Sequence, residues 1–142
     1  MPVIDADAHV IETERTWDYM KGPESKFRPV TVTPHNDPRQ FWLIDGNIFS
    51  RVSNVNREIP MASREMLDIE ARLRHLDELG LDIQVLYPSL FLVPLTRRPE
   101  VELALCKSYN RWLVDICSKG ENRLRWVAVL PLFTLFTRRQ AG

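Results

Sequence analysis

Three side chains that could bind a metal recur at every second position of residues 3–12, VIDADAHVIE. Asp5, Asp7 and His9 alternate with small or apolar residues, which is typical of a β-strand and predicts that they share one face with Val3. Carboxylate oxygens and imidazole nitrogens are common ligands of zinc and similar divalent cations. In a parallel sheet, Asp7 and His9 would lie at the carboxyl end of the strand, where such sheets carry their sites. The alternative is an aspartate bonded to a turn beside a surface histidine.

The rest of the sequence contains the helices and strands that would position this segment. Apolar residues at 3-4-3 spacing predict a helix over residues 63–80, and a short apolar run predicts a buried strand over 82–89. A second apolar stripe predicts a helix over 99–118, and residues 124–132 read as a third buried strand. Strands that alternate with long helices are typical of an α/β fold with a parallel sheet.

Residues 27–60 separate the first strand from the first long helix, and we interpret them as an inserted connection. Residues 26–38 hold three prolines and predict an extended, irregular stretch. Asp45-Gly46 stands between two apolar runs, which predicts a β-hairpin over residues 41–49. The sequence contains no sign of a linker between two domains, so residues 1–142 are expected to form one domain.

Composition excludes several classes of protein. The 142 residues include 19 basic and 19 acidic side chains, which offers no electrostatic case for nucleic acid or an anionic membrane. No apolar run approaches the roughly 18 residues of a membrane span. The charged residues in 72–74 are expected to be solvated. Cys106 and Cys117 lie about 16 Å apart along the predicted helix, too far for a disulfide, so we expect buried thiols and a cytoplasmic location.

The motif IDADAHVIE resembles the first strand of the amidohydrolase superfamily, and more closely the group that includes aminocarboxymuconate-semialdehyde decarboxylase and the resorcylate-type decarboxylases. RLRHLDELGLDIQVLYPS and YNRWLVDICSKGENRLRWVAVLPL are similar to the next helices and strands of that group, so the resemblance covers residues 2–132. It implies the N-terminal three strands of a (β/α)8 TIM barrel with a hairpin insertion after strand 1. It also implies a divalent metal, zinc above all, held by Asp7 and His9, with Asp5 and Glu12 in supporting positions; Glu12 could alternatively face the substrate.

The resemblance implies either hydrolysis or non-oxidative decarboxylation of a small carboxylated or cyclic substrate. The sequence departs from the family at two points. The family's first-strand motif is usually His-x-His, whereas this sequence has Asp7-x-His9, and the remaining ligands of the family would follow Gly142. Residues 133–142 fit poorly, so we expect a truncated barrel that is inactive alone and that could form homo-oligomers through its open edge. The alternatives are an inactive remnant and a self-standing α/β binding module.

Overall fold

The computed structural model describes residues 1–51 and 59–135, and its elements follow the predicted α/β order. In chain order the elements are β1 (Ile4–Val10), β2 (Val30–Val32), β3 (Phe41–Ile44), β4 (Asn47–Ser50), α1 (Met61–Arg64), α2 (Ile69–Glu78), β5 (Ile83–Pro88), α3 (Pro99–Ser118) and β6 (Leu124–Trp126). These residues also contain the short 3-10 helices Glu14–Tyr19, Gly22–Phe27 and Leu90–Leu92.

The main sheet is parallel, as predicted, with strand order β1-β5-β6. β5 is the central strand because it pairs with β1 on one side and with β6 on the other. α2 and α3 cover one face of this sheet and bury their apolar stripes against it. The largest buried apolar side chains of this core include Val10, Leu76, Leu86, Trp112 and Leu113.

The insertion forms a second sheet, which is antiparallel and has strand order β2-β3-β4. The predicted hairpin is confirmed: β3 pairs with β4 around Asp45 and Gly46, whose φ angles are 49° and 78°. Positive φ at both central residues is the requirement of the tight type I′ hairpin turn. The prediction of an irregular stretch over 26–38 was wrong in part, because β2 pairs with β3 there.

The hairpin sheet packs on the first half of α3 through a second apolar cluster. The indole rings of Trp17 and Trp42 meet edge to face with their centroids 5.9 Å apart, and both side chains are fully enclosed. Leu105 on α3 and Ile44 on β3 belong to the same cluster. This packing fixes the insertion beside the carboxyl end of the parallel sheet, because the Leu90–Leu92 turn after β5 also contributes to it.

Two predicted elements are shorter than expected. The single helix predicted over 63–80 is interrupted, since Met66 has a φ of 54° and α2 begins only after Asp68, whose side chain accepts the Ala71 N–H. The strand predicted over 124–132 ends at Trp126. Asn110 explains the early end, because its side-chain amide pairs with both the N–H and the carbonyl of Val129 at 2.9 Å. That backbone therefore needs no strand partner.

The two cysteines are buried free thiols, as predicted. In the part of the chain that the structure describes, no helix has the length and apolar character to cross a membrane. Residues 52–58 of the predicted insertion and residues 136–142 of the predicted tail lie outside the described residues.

Candidate metal centre

Asp7 and His9 lie near the carboxyl end of β1, on the face of the sheet that the helices leave uncovered. His9 is in register with Tyr87 of β5, whereas Ala8 is in register with Leu86 and faces the helical core. Asp7 Oδ1 and His9 Nε2 are 4.0 Å apart. The Asp7 side chain is 96% exposed and that of His9 is 21% exposed. The structure therefore brings the two predicted ligands together on an accessible surface.

The imidazole of His9 is held in one tautomer by the main chain of β5. Its Nδ1 lies 2.9 Å from the carbonyl oxygen of Pro88. A carbonyl oxygen only accepts hydrogen bonds, so Nδ1 carries a proton, and in the neutral ring the lone pair lies on Nε2, the nitrogen nearer Asp7. Histidine ligands of metal ions characteristically donate their second ring nitrogen to a carbonyl or carboxylate in this way.

Asp5 does not share the face of Asp7 and His9, which corrects the predicted alternation. The pairing register between β1 and β5 shifts between Asp5 and Ala8, where three residues of β1 span two residues of β5. This bulge turns the Asp5 side chain toward the helical face, where its Oδ2 accepts a 2.8 Å hydrogen bond from the Gln84 amide. Its other oxygen accepts the N–H of Asp7 at 3.1 Å. Asp5 thus shapes the strand that presents Asp7 and contributes no side chain to the exposed face.

A buried arginine completes the support of this bulge. Arg72 of α2 donates through Nε to the Gln84 side-chain oxygen at 2.8 Å and through Nη1 to the Ser63 carbonyl at 3.1 Å. Its side chain is 2% exposed, so the prediction of a solvated charge was wrong for Arg72. Burial lowers its pKa to about 10, while the charge of Asp5 opposes that shift. Arg72 is therefore a cation at neutral pH, linked through Gln84 to Asp5.

Glu12 lies inside the protein, at the junction of β1 and the turn after β5. Its residue is 2% exposed, which is incompatible with a substrate-facing carboxylate. The two carboxylate oxygens accept the N–H groups of Ser89 and Leu90 at 3.1 and 3.0 Å. Burial raises the pKa of Glu12 to about 7, against the opposing effect of hydrogen bonds from backbone N–H groups, including those of Ser89 and Leu90.

The donors at this edge fit part of a zinc site. The 4.0 Å between Asp7 Oδ1 and His9 Nε2 is longer than the roughly 3.4 Å that separates two ligands of a tetrahedral zinc ion. The exposed Asp7 side chain would have to rotate to shorten that span. In residues 1–51 and 59–135, no three His, Cys, Asp or Glu side chains are clustered closely enough to form a metal site by themselves.

Sequence reasoning missed the side chains that support the two ligands. Gln84 is the one polar residue inside the apolar strand IQVLYP, and such an interruption is a usable signal of a buried hydrogen-bonding role. Arg72 lies three residues after Ile69 and four before Leu76, on the apolar stripe of α2, and this helical spacing is a signal that the exposed Arg74 lacks. The Pro88 carbonyl has no sequence signal, because any residue would provide one.

The fold resembles that of a solved amidohydrolase. The structure matches the crystal structure of amidohydrolase map2389c from Mycobacterium avium subsp. paratuberculosis K-10 with a TM-score of 0.65 at 16% sequence identity. The match covers 91% of this chain and 42% of that one, so this chain spans less than half the length of the solved protein. A scan against protein-family models gives no match, and a comparison with curated proteins gives none either.

The protein is therefore an α/β protein with an amidohydrolase-like fold. The three parallel strands of the described residues form an open sheet, with β1 and β6 at its edges, and no closed barrel is present in that part of the chain.

Proposed function

We propose that this chain provides the first-strand half of a divalent metal site in a metal-dependent hydrolase of the amidohydrolase type. Asp7 and His9 would be two of the ligands, and zinc is the metal that best suits one carboxylate oxygen and one imidazole nitrogen. The three parallel strands would be the first strands of a (β/α)8 barrel. Catalytic zinc usually has three protein ligands, so further ligands would come from polypeptide outside the described residues.

The observation that carries this proposal is the geometry of His9. Its Nδ1 donates to the Pro88 carbonyl, which leaves Nε2 free and directed at an exposed carboxylate on the uncovered face of the sheet. The location near the carboxyl ends of parallel strands is where α/β proteins bind ligands.

A metal at this position would polarise a substrate carbonyl or lower the pKa of a bound water. Asp7 would contribute negative charge, and His9 would bind through Nε2 while its Nδ1–H donates to the Pro88 carbonyl. The substrate would be a small carboxylated or cyclic molecule. Non-oxidative decarboxylation is the alternative reaction for the same ligands, as in the decarboxylase group that the sequence resembles.

Metal titration of the purified chain tests the proposal directly. We expect Co²⁺, a spectroscopic substitute for zinc, to bind in a 1:1 ratio, and the affinity to fall at least about tenfold in His9→Ala and in Asp7→Ala. His75→Ala is the matched control, because His75 lies on α2 and contacts Glu78 at 3.5 Å. Equal affinity in the wild type, His9→Ala and Asp7→Ala would show that the edge is not a metal site.

A second candidate is a self-associating α/β module, and the exposure of apolar side chains favours it. Ile4 on β1 is 51% exposed, and Leu130 and Leu132 beyond β6 are 59% and 53% exposed. Exposed strand edges with apolar neighbours are sites of association. Sedimentation velocity over a hundredfold range of concentration would distinguish a stable homo-oligomer from a monomer.

A further inference from the structure

The peptide unit between Pro88 and Ser89 is held at both ends, by His9 of β1 and by Glu12, which lies two residues beyond the end of β1. Its carbonyl oxygen accepts the Nδ1 proton of His9 at 2.9 Å. Its N–H, which belongs to Ser89, donates to Glu12 Oε1 at 3.1 Å. A peptide unit is planar, with its C=O and N–H directed to opposite sides. A carboxylate that fixes the N–H therefore also fixes the direction of the carbonyl.

Two further bonds restrain the same turn. The second oxygen of Glu12 accepts the Leu90 N–H at 3.0 Å, and the Ser89 hydroxyl donates to the Val10 carbonyl at 2.7 Å. The turn between β5 and the Leu90–Leu92 helix is thus tied to the end of β1 by three hydrogen bonds in addition to the His9 contact. Glu12 accepts two of the three, although it is buried where a carboxylate is costly.

We propose that Glu12 is a positioning residue for His9, acting through the Pro88–Ser89 peptide unit to hold the imidazole in the Nδ1–H tautomer with Nε2 free. The inference rests on the proposed function only in that a free Nε2 is what a metal ligand requires. Without Glu12, the peptide unit could rotate and its carbonyl would leave Nδ1. The ring would then exchange between both tautomers, and the Nε2–H form cannot bind a metal through Nε2.

Among residues 1–51 and 59–135, none of the charged groups around Glu12 forms an ion pair with it. Arg51 lies across a small cavity of about 30 Å³ that Glu12 also lines, but its guanidinium contacts Glu14 and Gln40. The Tyr109 hydroxyl is buried and has no hydrogen-bond partner among the described residues, and its pKa is raised by burial and, to a smaller extent, by the charge of Glu12. The carboxylate is therefore stabilised by backbone N–H groups, which supports a role in fixing that backbone.

Nitrogen NMR of histidine in the metal-free protein tests the proposal without relying on metal binding. At pH 8.5, where an ordinary imidazole is neutral, wild-type His9 should show a protonated Nδ1 and an unprotonated Nε2. Glu12→Ala removes both acceptors and should give a tautomer mixture. Glu12→Gln keeps the volume and one acceptor oxygen, so it should give a smaller shift in the same direction, and it decides the question if Glu12→Ala does not fold.

Asp45→Asn is the matched control, because Asp45 accepts hydrogen bonds from Thr96 and Arg98 at the hairpin, and neither residue contacts His9. A pure Nδ1–H tautomer in both Glu12 variants, or an equal change in Asp45→Asn, would overturn the proposal.

Zn²⁺ titration then connects the role of Glu12 to the metal site: the affinity for Zn²⁺ should fall at least about threefold in Glu12→Gln and stay constant in Asp45→Asn. If wild-type protein binds no Zn²⁺, the proposed function fails, while the NMR result still decides the role of Glu12.

Discussion

Hydrogen bonds link Arg72 through Gln84 to Asp5 and so join helix α2 to the bulge of β1. We predict that breaking this link strongly lowers the free energy of unfolding. Gln84→Leu removes the amide that joins them. Arg72 Nε loses its acceptor and Asp5 Oδ2 loses its donor, each bond being 2.8 Å long in the wild type. Both partners are charged, and Arg72 stays buried after the change.

The size of the effect follows from those two bonds. Hydrogen bonds to charged groups contribute about 1.5–3 kcal/mol each, and leucine regains about 1–2 kcal/mol by burying apolar surface. The free energy of unfolding should therefore fall by about 2–4 kcal/mol in Gln84→Leu, which is a large fraction of the stability of a small domain. Arg74→Met is the control, since the Arg74 side chain is 63% exposed and its loss should cost less than about 0.5 kcal/mol.

The double variant Arg72→Met, Gln84→Leu separates a specific pairing from general packing. Replacing both partners by apolar side chains leaves no buried arginine without its acceptor, so the double change should cost at least about 1 kcal/mol less than the sum of the single changes. Urea unfolding followed by tryptophan fluorescence gives, by linear extrapolation, the free energy of unfolding of the wild type, Arg72→Met, Gln84→Leu and the double variant. Additivity within about 0.5 kcal/mol would refute the view that Arg72 and Gln84 form one network.

Three further predictions concern Glu12, the hairpin and the thiols. The folded state raises the pKa of Glu12 from 4.5 to about 7, so its contribution to stability is full below pH 4.5 and is lost as pH rises through 7. Wild-type unfolding free energy should fall by up to about 3 kcal/mol over that range, and a Glu12→Gln curve of equal slope would contradict this. Gly46→Ala should lower the free energy of unfolding, measured in urea, by about 1 kcal/mol. Gly46 has a φ of 78°, which is strained for alanine even though no atom lies within 4 Å of the added Cβ. Burial raises the pKa of the Cys106 thiol to about 12, so this thiol should react only slowly in the native protein at pH 8. Its removal in Cys106→Ser should therefore leave the rate of native thiol labelling unchanged.

The elements that sequence analysis predicted well are those with local signals. α3 runs over Pro99–Ser118, the predicted bounds, because its apolar stripe is long and proline suits the first turn of a helix. The hairpin was equally predictable, since Asp45-Gly46 fits positive φ at both central turn positions. In contrast, the end of β6 was missed because the side chain of Asn110, from another element, satisfies the backbone of Val129.

In the candidate site, too, sequence analysis predicted the features that depend on nearby residues and missed those that depend on distant ones. A spacing of two correctly placed Asp7 and His9 on a common surface, since the register shift between Asp5 and Ala8 leaves these two residues on the same face. The same rule failed for Asp5 because Gln84 of β5, 79 residues away, supplies the hydrogen bond that turns it toward the helices. Alternation is a property of one strand, whereas the position of a bulge depends on the neighbouring strand.

The three acidic residues of the opening motif therefore have three different environments that their own sequence does not distinguish. Asp7 is exposed beside His9, Asp5 accepts a hydrogen bond from a buried glutamine, and Glu12 is enclosed by backbone N–H groups. The environments of Asp5 and Glu12 are set by β5 and by the turn that follows it. β5 and the turn after it thus occupy two of the three carboxylates, which leaves Asp7 as the one available to a metal.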